Sequence, residues 1–154
     1  GVDGSASNDA SHMLMEVRQA MLLARLKIGL RPPEGPMTIL STSDPLRRDE
    51  WVTARDALEI GTRGGAEVLG RADIGHLAPG MCGDFFSVDL DTIAFAGALH
   101  DPVAALVFCA PQQTKYTVIN GRVIVDAGRI ATVDMQPVID EHTRHAAALG
   151  AGGR

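Results

Sequence analysis

The sequence predicts an α/β chain, in which one strand–loop–helix unit and short helices lead into a small β-rich part. That order suits the last βα unit of an α/β domain joined to a small β-subdomain. Three observations predict it. Gly1 to Asp3 reads as the end of a strand, followed by small polar residues and then a long helical periodicity. A Pro-Gly turn at 79–80 opens a run of strand-forming residues. Two β-branched runs flank Asn120-Gly121, the dipeptide that most readily supplies the two positive φ angles of a tight hairpin.

Element by element, Gly4 to Asp9 is a polar loop. Met13, Leu14, Val17, Ala20, Met21, Ala24 and Ile28 then recur at helical spacing, with Glu16, Arg18, Arg25 and Lys27 mostly off that face. Asp9 or Ser11 suits the cap, Gly29 closes the helix, and the prolines of RPPEGP (31–36) forbid its continuation. Val52 to Ile60 forms a second helix, and RGGAEVLG (63–70) a further short helical turn broken by glycines. A strand follows over Phe85 to Leu90, and DPVAALVFCA (101–110) reads as helix then strand. Thr117 to Ile119 and Arg122 to Val125 form the hairpin, Asp126-Ala127-Gly128 turns the chain again, and Pro137 to Leu149 is a helix with a frayed glycine-rich end.

The composition bounds the function. With 154 residues, 45% apolar and 21% charged, the chain is globular rather than disordered, and with 4% aromatics its core is built from Ala, Val, Ile and Leu. A net charge of −5 and no basic cluster beyond Arg47-Arg48 argue against a nucleic-acid partner. No apolar run approaches the roughly 18 residues of a membrane span. Cys82 and Cys109 are far apart in apolar surroundings with no CxxC, which favours reduced thiols in a cytoplasmic protein over a disulfide or metal pair.

Asp3 is the first candidate for chemistry. A carboxylate just past the carboxyl end of a strand is where α/β barrels keep catalytic groups, because parallel strands point those ends at one mouth. The local pattern alone favours a plainer reading, a turn-forming Asp before a capped helix. The five histidines include no HxH or HExxH. His142 and His145 share a helix face, which admits a metal pair but better suits solvated side chains. His100-Asp101 sits before Pro102 in a loop. The HxE and PCxxC of cytidine-type deaminases, GxSxG, the P-loop and GxGxxG are all absent. TRGGAEVLG (62–70) lacks the lysine of a phosphate cradle and reads as close helix packing.

GVDGSASND followed by SHMLMEVRQAMLLARL resembles the eighth strand, loop and helix of the amidohydrolase superfamily. ARDALEIGTRGGAEVLGRADIGHLAPGMCGDFFSVDL, with its G-x-L-x-P-G-x-x-G-D, resembles the entry from that family's barrel into its small β-sandwich, and ALHDPVAALVFCAP and VINGRVIVDAG continue it. Within the superfamily, GVDGSASND with HDPVAALVFCAP is most similar to the branch acting on 8-oxoguanine and to the neighbouring hydroxyatrazine-type aminohydrolases.

The resemblance implies a C-terminal piece of a (β/α)₈ TIM-like barrel enzyme. Residues 1–74 would be the end of the metal-dependent hydrolase barrel, 75–135 part of the β-sandwich subdomain, and 136–154 a C-terminal helix and tail. It implies a divalent metal, usually zinc, whose histidine ligands lie on strands outside this chain. Asp3 would be both metal ligand and proton carrier in a hydrolytic deamination, with Ser5 and Asn8 close enough to line the substrate pocket. For 8-oxoguanine the products would be urate and ammonia. The alternatives are a hydroxytriazine or another purine or pyrimidine aminohydrolase. From a different class, a non-catalytic β-sandwich interaction module remains open, since one carboxylate cannot hold a catalytic zinc. The isolated chain is expected to be inactive. Its partners would be a small purine-like molecule, the remainder of its own barrel and further copies of itself.

Overall fold

The computed structural model describes residues 2–4, 11–29, 51–109 and 113–152. Their contacts divide the chain into two compact units, Gly1–Gly80 with Leu90–Pro111, and Met81–Asp89 with Gln112–Arg154.

The first unit is helical. Helix α1 (Met13–Gly29) forms where the periodicity predicts a helix, but of the predicted stripe only Val17 and Met21 are buried among the described residues, while Met13 and Ala20 on it, and Met15, Leu22, Leu23 and Leu26 off it, are exposed. Helix α2 (Ala54–Glu59) starts at a reciprocal cap. The Thr53 hydroxyl accepts from Asp56 N at 3.1 Å, and the Asp56 carboxylate accepts from Thr53 N at 2.8 Å. The glycines that follow do not break the helix. A π-helical turn (Ile60–Gly64) carries it directly into α3 (Gly65–Val68). The reason lies in packing. A Cβ on Gly61 would sit 2.6 Å from Val17 Cγ2, so the turn approaches α1 at a distance only glycine permits. Close helix packing was expected of residues 62–70, but the close contact falls at Gly61, while Gly65 faces open space.

Leu90–Pro111 joins this unit because α4 (Pro102–Phe108) seals its core. Val107 packs with Val17, Met21, Ala54 and Ala57, and Val52 and Ala104 lie against the cluster. Burying a side chain such as Met21 or Val107 contributes about 1.5–3 kcal/mol. Asp101 caps α4, its Oδ1 accepting from Val103 N at 3.1 Å and Ala104 N at 3.0 Å, with Pro102 at the first helical position. Arg25 pins the same elements from the side. Its Nε donates to Val52 O at 2.9 Å, and its guanidinium lies 5.7 Å from the Trp51 ring centre and 5.3 Å from that of Phe108.

The second unit is an antiparallel sheet in the order β1 (Phe85–Ser87), β2 (Tyr116–Ile119), β3 (Arg122–Asp126), β4 (Arg129–Ile130). The predicted turn is present, with Asn120 at φ 51° and Gly121 at φ 72°, closing the pair Ile119–Arg122. Thr117 pairs with Val125 but Val118 with Val123, so Ile124 is a bulge, and its carbonyl accepts from Ala131 N at 2.8 Å. Helix α5 (Met135–Gly152) buries none of its residues.

The structure corrects several expectations. Val2, Asp3 and Gly4 form no strand. Asp3 is left-handed at φ 61°, and the described strands all belong to the sheet of β1–β4, so nothing pairs with this segment among the described residues. Strand β1 ends at Ser87 rather than Leu90, because its register partner there is Tyr116, the first residue of β2. The strand expected after α4 is not formed at Cys109, and residues 110–112 lie outside the described ones. Helix α5 runs through Gly150 to Gly152 rather than fraying after Leu149. Cys82 and Cys109, by contrast, are as expected: both are half-buried thiols that form no disulfide.

Candidate active site

Asp3 lies between Val2 and Gly4, ahead of the segment that leads to α1. Its left-handed backbone turns the side chain onto the next peptide, and Gly4 N donates to Oδ1 at 2.8 Å. The residue is exposed, and Oδ2 accepts nothing among the described residues. Among the described residues Asp3 is thus a carboxylate with one oxygen oriented by Gly4 N. It lines none of three surface grooves of about 510, 490 and 930 Å³. Ser5 and Asn8 fall outside the described residues.

The donor chemistry decides how far a metal fits. A hard carboxylate oxygen suits zinc or another divalent ion, but one carboxylate is not a site. Among the described residues no group of three His, Cys, Asp or Glu side chains converges. Among the described residues Asp3 therefore stands apart from any cluster of metal-ligating side chains.

His142 and His145 belong to no group of three metal-ligating side chains among the described residues. Both are exposed on α5, where His145 Nε2 lies 3.4 Å from Glu141 Oε1 and 3.2 Å from Arg144 Nη2. His100 is exposed, and the adjacent Asp101 is committed to capping α4. No sequence motif singles out His12. It is half-buried at the entry to α1, its carbonyl accepts from Met15 N and Glu16 N, and its Nδ1 is buried without a hydrogen-bond partner among the described residues. Of the two expected caps, Ser11 takes a left-handed backbone at φ 45°, and Asp9 lies outside the described residues. Asp56 is held below the ordinary Asp range chiefly by the Thr53 hydroxyl and then by the Thr53 backbone N–H, which is helix-cap chemistry rather than catalysis. No helix among the described residues is long and apolar enough to cross a membrane.

Residues 1–124 match the model of the amidohydrolase family, and the chain belongs to that family. It is 40% identical over 152 residues to the 8-oxoguanine deaminase of Pseudomonas aeruginosa, a match covering 99% of this chain and 29% of that protein. It is 39% identical over 137 residues to the hydroxydechloroatrazine ethylaminohydrolase of Pseudomonas sp. (strain ADP), covering 87% of this chain and 25% of that one. Among solved structures, a mutant of the atrazine chlorohydrolase of Arthrobacter aurescens, complexed with zinc and atraton, superposes with a TM-score of 0.72 at 31% identity, over 92% of this chain and 28% of the other. The chain thus spans between a quarter and three-tenths of the length of these relatives.

Proposed function

We propose that this chain is the carboxyl-terminal part of a metal-dependent hydrolytic deaminase that converts 8-oxoguanine to urate and ammonia. The observation that carries the reading is the 40% identity to an 8-oxoguanine deaminase across 152 residues. In this reading residues 1–74 finish a barrel, 75–135 contribute to a β-sandwich, and 136–154 form the closing helix and tail. The enzyme works in the cytoplasm as a homo-oligomer.

Asp3 is the catalytic contribution of this chain. A bound divalent metal would supply a water acidic enough to lose its proton near neutral pH. The Gly4 N–H fixes the plane of the Asp3 carboxylate through Oδ1, and Oδ2 takes up the water's proton and returns it to the departing amine, which leaves as ammonia. One carboxylate serves both steps because the oxygen that accepts the water's proton can return it to the leaving nitrogen. Ser5 and Asn8 contact the substrate from the same segment. The second reading, a hydroxytriazine aminohydrolase, is supported by the 39% identity to hydroxydechloroatrazine ethylaminohydrolase.

The test is ammonia release by the full-length, zinc-loaded protein, with 8-oxoguanine and hydroxytriazines assayed in parallel and urate followed by its absorbance. Turnover of 8-oxoguanine with the higher kcat/KM is expected. A folded, metal-loaded protein that releases no ammonia from 8-oxoguanine overturns the assignment, and preference for the triazine selects the second reading. The 154-residue chain alone should neither turn over substrate nor bind zinc at micromolar concentration.

A further inference from the structure

We propose that Asn120 is a latent deamidation site, kept unreactive by its turn and by Asp84. Asparagine followed by glycine is chemically exposed to self-modification. The Gly121 backbone nitrogen loses its proton to solvent base and attacks Asn120 Cγ. A new N–C bond forms, the bond from Cγ to the side-chain nitrogen breaks, and ammonia leaves a five-membered succinimide. Water then opens the ring at either carbonyl, giving aspartate or isoaspartate, with no change of oxidation state. Glycine favours the attack because no side chain shields its nitrogen. Here nothing lies within 4 Å of where a Cβ of Gly121 would stand, and Asn120 is exposed, so burial offers no protection.

The protection is conformational. Ring closure needs the Gly121 nitrogen eclipsed with Asn120 Cβ. The turn has φ 51° and 72° at its two central residues and closes the pair Ile119–Arg122, the geometry of a type I′ hairpin. Such a turn has ψ of roughly +30° at its first central residue, which puts the Gly121 nitrogen nearly anti to Cβ. Rotating ψ swings β3 off β2 unless the preceding peptide counter-rotates. Asp84 opposes that counter-rotation, because its Oδ1 accepts from Asn120 N at 2.7 Å and holds the 119–120 peptide plane. Conversion reinforces itself. An aspartate at 120 sets a second carboxylate beside Asp84, and isoaspartate lengthens the backbone of a two-residue turn by one methylene.

The experiment follows Asn120 conversion in the 154-residue chain at mildly alkaline pH, by peptide mapping for the mass gain of amide to acid. Folded wild type should convert at least about tenfold more slowly than the same chain in urea, the difference being the cost of local opening. Asp84→Ala should convert about fivefold faster than folded wild type, the factor expected for losing one exposed hydrogen bond to a charged group. Asp84→Asn keeps an acceptor and should stay near the wild-type rate. Equal rates for folded and urea-treated wild type, or for folded wild type and folded Asp84→Ala, overturn the proposal. If circular dichroism shows that Asp84→Ala has lost the sheet, hydrogen exchange of the Asn120 amide in wild type decides. Protection supports the lock, and exchange at the free-peptide rate refutes it.

Discussion

Asp84 Oδ1 accepts a 2.7 Å hydrogen bond from the backbone N–H of Asn120, 36 residues further along the chain. The bond joins the residue just before β1 to the turn between β2 and β3. Gly83-Asp84 positions an acceptor, and Asn120-Gly121 presents a donor that a two-residue turn leaves outside the ladder.

The hairpin turns carry the first prediction. Gly121 has φ 72°, and Gly121→Val forces a β-branched residue into the left-handed region, with an expected loss of about 1–2 kcal/mol. Ala127 holds φ 46° in the next turn, so Ala127→Gly relieves strain and should stabilise by roughly 0.5 kcal/mol after the entropy cost of glycine. Urea unfolding midpoints of the two variants should move in opposite directions.

The same substitution should have opposite signs at two helical glycines. Gly61→Ala places a methyl 2.6 Å from Val17 Cγ2, and Val17 is buried and stiff at χ1, so a loss of about 1–3 kcal/mol is expected. Gly65 is helical with nothing within 4 Å of its Cβ position, so Gly65→Ala should stabilise by up to about 1 kcal/mol. Thermal melts decide, and a Gly61→Ala protein at least as stable as wild type would show that α1 is not held that close.

Asp56 links stability to pH. Its folded-state pKa is lowered chiefly by the Thr53 hydroxyl and then by the Thr53 backbone N–H. A lowered carboxylate pKa stabilises the fold above the unfolded value, and the contribution is lost as pH falls through the folded one. Asp56→Ala should therefore lower Tm at neutral pH, and the gap to wild type should narrow below the ordinary Asp pKa. A gap that stays constant into strong acid would mean that the ionised carboxylate contributes nothing to the cap.

Asp3 carries the functional prediction, tested in the full-length enzyme. Asp3→Asn keeps the size and one oxygen but cannot accept the water's proton, so kcat should fall at least about a hundredfold, with substrate binding less affected. His142→Ala and His145→Ala should leave kcat within about a factor of two, since both side chains are exposed on α5. Ammonia release with metal content measured for each variant makes the comparison. Near-normal kcat and full metal in Asp3→Asn would reduce Asp3 to a turn residue.

The sequence alone determined what depends on neighbours in the chain. The stripe from Met13 specifies α1 and Asn120-Gly121 specifies the hairpin, because period and positive φ are properties of a few consecutive residues. Locally Asp3 is a candidate as a carboxylate past a strand end, with a turn-forming Asp the favoured reading, and the resemblance over the whole stretch is what favours a site. What lay beyond reach depends on residues distant in sequence. The glycines of 63–70 read as helix breaks, whereas a π turn over Ile60–Gly64, with Gly61 close against Val17, carries the helix on. The length of β1 was decided by where β2 begins. Whether Val2–Asp3 is a strand depends on a pairing neighbour, since extended backbone is stable only when its N–H and C=O groups find partners. The joining of α4 to the helices of the first unit was likewise decided by the burial of Val107 against α1 and α2, a contact that no local pattern announces.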